Sequence, residues 1–188
     1  MRVNFLILKK TDILQIKTLL NEPRNIVLLI HYNPDGDALG AALSLFHLFK
    51  SLNHSPQVIS PNNIPLFLQW MPGTEHLMYA HTQSEKCKKA IENADILIYL
   101  DFNACPRLGN VLEPLCSAST AFKILIDHHL HPEIPANITY SNIKTSSTSE
   151  LIYHFIVKMM NFKPLMNQTI AECIYVEILR KSHTHGLA

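Results

Sequence analysis

Three short, strongly apolar runs alternate along the chain with segments of helical periodicity. The runs are residues 26–30, 94–100 and 122–126. Near-continuous apolar runs of this length are typical of strands that are buried on both faces of a parallel sheet. Because the intervening segments carry apolar residues at helical spacing, the pattern predicts an α/β fold, a mostly parallel sheet flanked by helices.

The predicted elements cover most of the chain. The predicted strands are residues 25–30, 57–60, 94–100, 122–126 and 138–140. The predicted helices are residues 11–20, 38–52, 83–92, 108–115, 148–161 and 167–179. Residues 61–80 contain three prolines and are predicted to be irregular.

Polar side chains of metal-binding type directly follow the three apolar runs. Right-handed crossovers place the carboxyl ends of parallel strands at one edge of the sheet, where ligands bind in open α/β folds. We therefore expect side chains from three separate strand ends to converge. They are His31, Asp35, Asp37, Asp101, Asp127, His128 and His129.

Imidazole and carboxylate ligands in this number indicate a hard, oxygen-rich metal site that suits Mn²⁺ or Mg²⁺. Two ions about 3.5–4 Å apart can clamp a phosphoester, provided that a carboxylate bridges them. Asp101 is the natural bridge, because it arrives alone from the middle run. His31 and Asp35 would hold one ion, and Asp37 and His128 the other.

The adjacent residues have supporting roles in this hypothesis. His129 would face the substrate phosphate as a hydrogen-bond donor or general acid, and Asp127 would orient an imidazole. Taken singly, Asp35 is more typical of a turn and Asp101 of a helix cap. Three acid- or histidine-bearing strand ends on one edge favour the site over these structural interpretations.

The segment after the last predicted strand has a separate interpretation. Ser147 and Glu150 have the spacing of a capping box for the next helix. A hydroxyl-rich helix N-terminus can also bind an anion, so Thr148 and Ser149 are candidate phosphate contacts. Arg107 is a further candidate, with a solvated surface arginine as the equal alternative.

Composition narrows the class of protein. The length of 188 residues suggests one domain. The net charge of +1 is much lower than that of proteins that bind large nucleic acids through a basic face. The four cysteines lack zinc-finger spacing, and no apolar stretch reaches transmembrane length, which predicts a cytoplasmic protein without membrane contact. A generic dinucleotide or P-loop fold is disfavoured because no glycine-rich phosphate motif follows a strand.

Together these motifs resemble the DHH phosphoesterase superfamily. The first is His31-x-x-Pro34-Asp35-Gly36-Asp37-Ala38-Leu39-Gly40, the second Leu100-Asp101, and the third Asp127-His128-His129 with Pro132. Ser147-Thr148-Ser149-Glu150 resembles the segment that follows. Within the superfamily the chain is most similar to the oligoribonuclease/pAp-phosphatase group, related to RecJ exonucleases and cyclic-di-AMP phosphodiesterases. The resemblance spans residues 10–179.

The resemblance implies a hydrolase with two Mn²⁺ ions, or Mg²⁺, acting on short oligoribonucleotides and/or 3′-phosphoadenosine 5′-phosphate (pAp). Its partners would be short RNA oligonucleotides or small phosphorylated nucleotides, and a homodimer is left open. Asp101 and His129 would be catalytic, with His129 close to the substrate phosphate. The implied metal ligands are His31, Asp35, Asp37, Asp101 and His128.

Two departures from the family set further expectations. The family has another metal-binding aspartate after the helix at 167–179, and alignment places Lys181 there. Residues 1–179 are expected to form the DHH domain and 180–188 an aberrant tail, without the C-terminal DHHA1 domain. Activity is expected to be weakened. The alternatives are an inactive remnant that binds nucleotide or a partner, and a cyclic-dinucleotide phosphodiesterase.

Overall fold

A six-stranded sheet forms the centre of the computed structural model, which describes the backbone of residues 8–184 and the side chains of residues 8–176. The strands are β1 (Asn25–Ile30), β2 (Ser55–Ser60), β3 (Met78–Tyr79), β4 (Ile96–Leu100), β5 (Phe122–Asp127) and β6 (Ile138–Ser141). Their order is β3-β2-β1-β4-β5-β6, and every neighbouring pair is parallel. The predicted α/β class is confirmed.

Helices cover both faces of the sheet. One face carries α1 (Lys10–Leu19), α2 (Gly36–Ser51), α5 (Thr148–His154) and α6 (Gln168–Thr184), and the other carries α3 (Ser84–Glu92) and α4 (Gly109–Ala118). Along β1, Ile26 and Leu28 belong to the first core, whereas Val27 and Leu29 belong to the second. This alternation explains why β1 is apolar at every position from Ile26 to Ile30.

Helix α2 is the most deeply buried helix and depends on a close approach at Gly40. A Cβ atom at this position would lie 2.5 Å from the backbone oxygen of Cys173 in α6 and 3.2 Å from Oγ of Ser149 in α5. Only glycine allows the three helices to pack at this distance. Gly40 therefore sets how closely α5 and α6 approach the start of α2.

Some predicted elements need correction. The segment 61–80 is not wholly irregular, because it supplies the edge strand β3, whose two residues are too few for a recognisable pattern. The predicted helix 148–161 ends at His154 and continues as a π-helical turn, Phe155–Met159. Helix α6 continues beyond residue 179 to Thr184.

The prediction about Lys181 lies outside the side chains that the structure describes, although the α6 backbone passes through this position. Of the predicted tail, residues 185–188 lie outside the described residues altogether. Within the described part, no helix combines the length and the apolar character needed to cross a membrane.

The strand order reverses direction between β1 and β4. From β1 the chain moves outward to β2 and β3 on one side, and β4 then begins the other half of the sheet. Such a reversal leaves a crevice at the carboxyl ends of the two central strands, where open α/β sheets bind their ligands. The polar segments predicted to converge follow strands at this edge.

Candidate metal centre

The structure brings the polar ends of β1, β4 and β5 together, as the topology predicts. His31 follows β1, Asp101 follows β4, and both side chains are buried. Nε2 of His31 lies 3.8 Å from Oδ2 of Asp101, and Nε2 of His128, just after β5, lies 3.5 Å from Oδ1 of Asp101. Asp101 is thus approached from both sides by imidazole nitrogens.

Two groups of potential metal ligands share Asp101. His31, Asp35 and Asp101 form one group and Asp101, His128 and His129 the other, with the ligand atoms of each group within 4.8 Å of one another. Asp37 adjoins the second group, since its Oδ2 lies 3.6 Å from Nε2 of His128. We call His31, Asp35, Asp37, Asp101 and His128 the candidate metal centre.

The backbone at Asp101 is itself unusual. Its φ of +66° is in the left-handed region, which aspartate tolerates better than most residues. The chain therefore turns sharply directly after β4, while the amide of Asp101 still donates to the carbonyl of Ile126 at 3.1 Å. Uncommon backbone conformations of this kind are found preferentially at functional sites.

The N-terminus of α5 holds Asp37 in place. The backbone amides of Thr148 and Ser149 donate to the two carboxylate oxygens of Asp37, each at 2.8 Å. The Ser149 hydroxyl donates to the backbone oxygen of Asp37 at 3.3 Å. Ser147 is the N-cap of α5, as predicted, because its hydroxyl accepts the Glu150 amide at 3.1 Å.

Thr148 and Ser149 therefore have a different position from the one expected of substrate contacts. Both are 0% exposed, and the Thr148 hydroxyl donates to Oδ1 of Asp101 at 2.7 Å. A buried hydroxyl that is fully engaged with a carboxylate orients that carboxylate. The structure supports a positioning role for these residues, and the phosphate contact assigned to them remains only a prediction.

Replacing Thr148 with valine is expected to weaken Mn²⁺ binding about 10-fold, because loss of a group that orients a ligand typically costs this much or more. Valine keeps the shape of the side chain but removes the donor to Asp101. Thr18→Val, on α1 and away from the site, is the matched control. Calorimetric titration of both variants with Mn²⁺ checks the prediction, and equal affinities would contradict it.

Hydrogen bonds also fix the remaining ligand candidates. Nδ1 of His31 lies 2.9 Å from the carbonyl of Tyr32 and donates to it, which leaves Nε2 as the ring atom that faces Asp101. Asp35 is the N-cap of α2, and its Oδ1 accepts the amides of Asp37 and Ala38 at 3.0 and 3.2 Å. Asp35 thus combines the predicted turn role with membership of a ligand group.

Asp127 and His129 form a pair beside the centre. Asp127 is 0% exposed, and its Oδ1 lies 2.6 Å from Nδ1 of His129. Because the carboxylate fixes one ring nitrogen, the orientation of the other is also set. His129 remains more exposed than His128, with 43% of its side chain accessible against 21%. The ring is therefore held rigidly at the solvent side of the centre.

The charges of the site favour a bound cation. Burial, and then the negative charge of Asp101, raise the pKa of Asp37 to about 7. Burial alone lowers the pKa of His31, but the Asp101 carboxylate and the Tyr32 carbonyl outweigh it, so that the pKa is raised. Both shifts reflect a buried pair of carboxylates with too little positive charge around them.

The donor set fits a divalent ion such as Mn²⁺. The nitrogen-to-oxygen separations of 3.5–3.8 Å around Asp101 exceed those of hydrogen bonds. Donors that are close but not bonded to one another leave room for an ion between them, toward which small side-chain movements would bring both. A mixed set of carboxylate and imidazole ligands suits a divalent metal ion.

Sequence reasoning missed one contact that holds the loop between β1 and α2, which carries His31 and Asp35. Asn33, with a φ of +54°, exchanges two hydrogen bonds with Asn62, which follows β2. The Asn33 amide donates to Oδ1 of Asn62 at 2.7 Å, and Nδ2 of Asn62 donates to Oδ1 of Asn33 at 2.8 Å. The Asn-Pro-Asp-Gly turn signals the bend at Asn33, but nothing in the sequence signals its partner.

The sequence profile of the DHH family, N-terminal domain, matches residues 25–178. The fold and the strand-end motifs are those of the DHH phosphoesterases, a class of hydrolases. The chain belongs to the DHH family, which confirms the resemblance seen in the sequence.

Two solved structures illustrate this relationship. The chain is similar to an exopolyphosphatase-related protein from Bacteroides fragilis, with 37% identity and a TM-score of 0.87 over 91% of this chain and 50% of that one. It thus spans half the length of this relative. RecJ from Thermus thermophilus, crystallised in complex with Mn²⁺, shares the fold at 13% identity and a TM-score of 0.53, over 92% of this chain and 24% of RecJ.

Proposed function

We propose that the chain is a manganese-dependent hydrolase of short oligoribonucleotides and/or pAp, acting by a two-metal mechanism. The observation that carries this proposal is the pair of ligand groups that share Asp101. A shared carboxylate between two sets of ligands is the arrangement that a dinuclear hydrolytic centre requires. The Mn²⁺ complex of RecJ, which has the same fold, supports manganese as the ion.

In this proposal, each side chain keeps the position described above. His31, Asp35 and Asp101 would hold one ion, and Asp101, Asp37 and His128 would hold the other. Bound ions would lower the pKa of a water molecule and offset the charge of the phosphoester. The amides at the start of α5 keep Asp37 directed at the centre, so little reorganisation is needed when a substrate binds.

His129 is the proposed substrate-facing residue. Since Asp127 engages Nδ1, Nε2 is the ring atom left to meet a phosphate oxygen or the leaving oxygen, to which it would donate a hydrogen bond or a proton. The exposed part of the ring permits this contact, whereas the Thr148 and Ser149 side chains are buried and face Asp37 and Asp101. Arg107, which is exposed and close enough to influence His31, is proposed as a second contact for the phosphate.

The proposal is tested by assaying hydrolysis of four substrates with Mn²⁺, with Mg²⁺ and with a chelator. The substrates are 5′-phosphorylated diadenylate, pAp, a cyclic dinucleotide and inorganic tripolyphosphate, the last chosen because of the exopolyphosphatase-related relative. We expect metal-dependent release of AMP from the diadenylate or pAp. Turnover of only the cyclic dinucleotide or tripolyphosphate would replace the proposed substrates.

Binding without turnover would favour the alternative of a nucleotide-binding remnant. Because Lys181 aligns with a family ligand, the Lys181→Asp variant is the informative companion in the same assay. Turnover that appears only in Lys181→Asp would show that the centre is intact but lacks one ligand.

We place the activity in a reducing, cytoplasmic compartment, consistent with the four free cysteines.

Stabilisation of the protein by Mn²⁺ is expected to grow with pH. The raised pKa of Asp37, about 7, means that folding keeps this group protonated where the unfolded chain ionises it. The ion-free protein therefore loses stability as pH rises from about 4 to 7. Above that range folded Asp37 is ionised and can accept a cation without first releasing a proton.

Thermal unfolding at pH 6.0 and 7.8, with and without Mn²⁺, measures this effect. When Mn²⁺ binding displaces one proton, the free energy of binding changes by about 1.4 kcal/mol for each pH unit below the pKa of Asp37. The increase in Tm that Mn²⁺ produces should therefore be about 3–5 °C larger at pH 7.8 than at pH 6.0. Asp37→Asn, which cannot titrate, should lose most of the difference between the two pH values. A larger Mn²⁺ effect at pH 6.0 would contradict the assignment of Asp37.

A further inference from the structure

Tyr32 is an exposed aromatic residue with an unusually well-fixed backbone, directly beside the candidate metal centre. The residue is 52% exposed. Its amide donates to the carbonyl of Arg107 at 2.7 Å, and its own carbonyl accepts Nδ1–H of His31 at 2.9 Å. Both backbone polar groups of Tyr32 are thus engaged, one of them with a candidate metal ligand.

The Tyr32 ring has a glycine and an arginine as neighbours. Gly109, at the start of α4, has a φ of +70°, and a Cβ there would lie 3.8 Å from Cδ2 of Tyr32. Because residue 109 is a glycine, it has no side chain that could cover the nearby edge of the Tyr32 ring. Arg107 is adjacent to Tyr32, because its carbonyl accepts the Tyr32 amide at 2.7 Å, and its guanidinium acts to lower the pKa of His31.

An exposed tyrosine with a fixed backbone is well suited to binding a flat ligand. Only its two side-chain torsions need to be restricted, so the entropic cost of binding is small. Aromatic rings of this kind stack on nucleobases without regard to sequence. An inorganic polyphosphate has no group that could use such a surface.

We propose that Tyr32 stacks on the base of a nucleotide whose phosphate lies at the candidate metal centre, while Arg107 contacts that phosphate. This inference rests on the proposed function and deepens it, because it identifies the feature that distinguishes a nucleotide from a phosphoester without a base. His31 and Tyr32 are consecutive, so the phosphate and the base would be received by adjacent residues of one loop. The substrate would then be selected by its base as well as by its phosphate.

The test compares the binding of AMP and ribose 5-phosphate, which differ only in the base, by calorimetry with Mn²⁺ present. We expect wild-type protein to bind AMP about 5- to 100-fold more tightly. Tyr32→Leu should abolish this preference, whereas Tyr32→Phe, which retains the ring, should keep it. Arg107→Gln should weaken both ligands by a similar factor.

Tyr175→Leu is the matched control, because Tyr175 on α6 is also 52% exposed and lies outside the strand-end loops. This variant should keep the wild-type preference for AMP. Equal binding of the two ligands by wild-type protein, or a preference that survives Tyr32→Leu, would overturn the inference and leave the proposed function standing. Binding of neither ligand in the presence of Mn²⁺ would overturn both.

Discussion

Replacing Asp101 with asparagine is expected to reduce Mn²⁺-dependent hydrolysis of a diadenylate by at least about 10³-fold. Asp101 belongs to both ligand groups, so its loss removes a charge from two proposed ion sites at once. Several kcal/mol of charge stabilisation in the transition state correspond to a rate factor of this size. The measurement is the initial rate at saturating Mn²⁺, with Asp12→Asn on α1 as the control.

The same variant has a second readout that is independent of activity. Asparagine tolerates the left-handed backbone at this position and keeps an oxygen to accept the Thr148 hydroxyl. It also removes the charge that helps to raise the pKa of Asp37. Ion-free Asp101→Asn should therefore be at least as stable as wild type near pH 8, but Mn²⁺ should stabilise it much less than it stabilises wild type. Metal-dependent turnover at the wild-type rate would show that Asp101 does not bridge two ions.

Replacing Gly40 with alanine is expected to destabilise the protein by about 3 kcal/mol, the upper end of the usual cost of overpacking. The new methyl group would meet the Cys173 carbonyl at 2.5 Å, and a backbone atom cannot move aside without shifting α6. Helix propensity alone would predict the opposite sign, by about 1 kcal/mol. A fall in Tm of about 6–12 °C is the expected result.

The Gly40 variant should also affect the candidate metal centre. Ser149, the second neighbour of the missing Cβ, donates its amide to Asp37, so a displaced α5 would loosen that carboxylate. Weaker stabilisation by Mn²⁺ should therefore accompany the lower Tm. Lys50→Ala, at an exposed position of the same helix, should leave the stabilisation by Mn²⁺ unchanged and lower the Tm far less than Gly40→Ala does, although it removes the contact of the ammonium with the Phe46 ring. A Gly40→Ala protein as stable as wild type would contradict the packing described for α2.

The sequence predicts the central part of this fold because the signals there are local. Each of β1, β4 and β5 is an apolar run followed by an acid or a histidine, and parallel topology alone places those ends together. The edge strand β3 has only two residues, and its pairing with β2 depends on tertiary contacts. The π-helical turn after His154 likewise has no distinct periodicity in the sequence.

The supporting contacts of the site could not be predicted, because they join distant parts of the chain. The bond from the Thr148 amide to Asp37 joins residues 111 positions apart, and no local pattern specifies it. The hydroxyl-rich segment at residues 146–149 has the pattern of a helix start. Its contacts with Asp37 and Asp101, however, form only in the packed structure. The pairing of Asn33 with Asn62 is also a tertiary contact between two loops.

The most direct test of the account is the stoichiometry of Mn²⁺ binding to the metal-stripped chain, measured by isothermal titration calorimetry. The two ligand groups that share Asp101 predict two ions per chain. Asp101→Asn, titrated in parallel, should bind fewer ions or none. One ion, or none, in the wild-type chain would contradict a dinuclear centre, and the chain would then be better described as a DHH domain without its hydrolytic site.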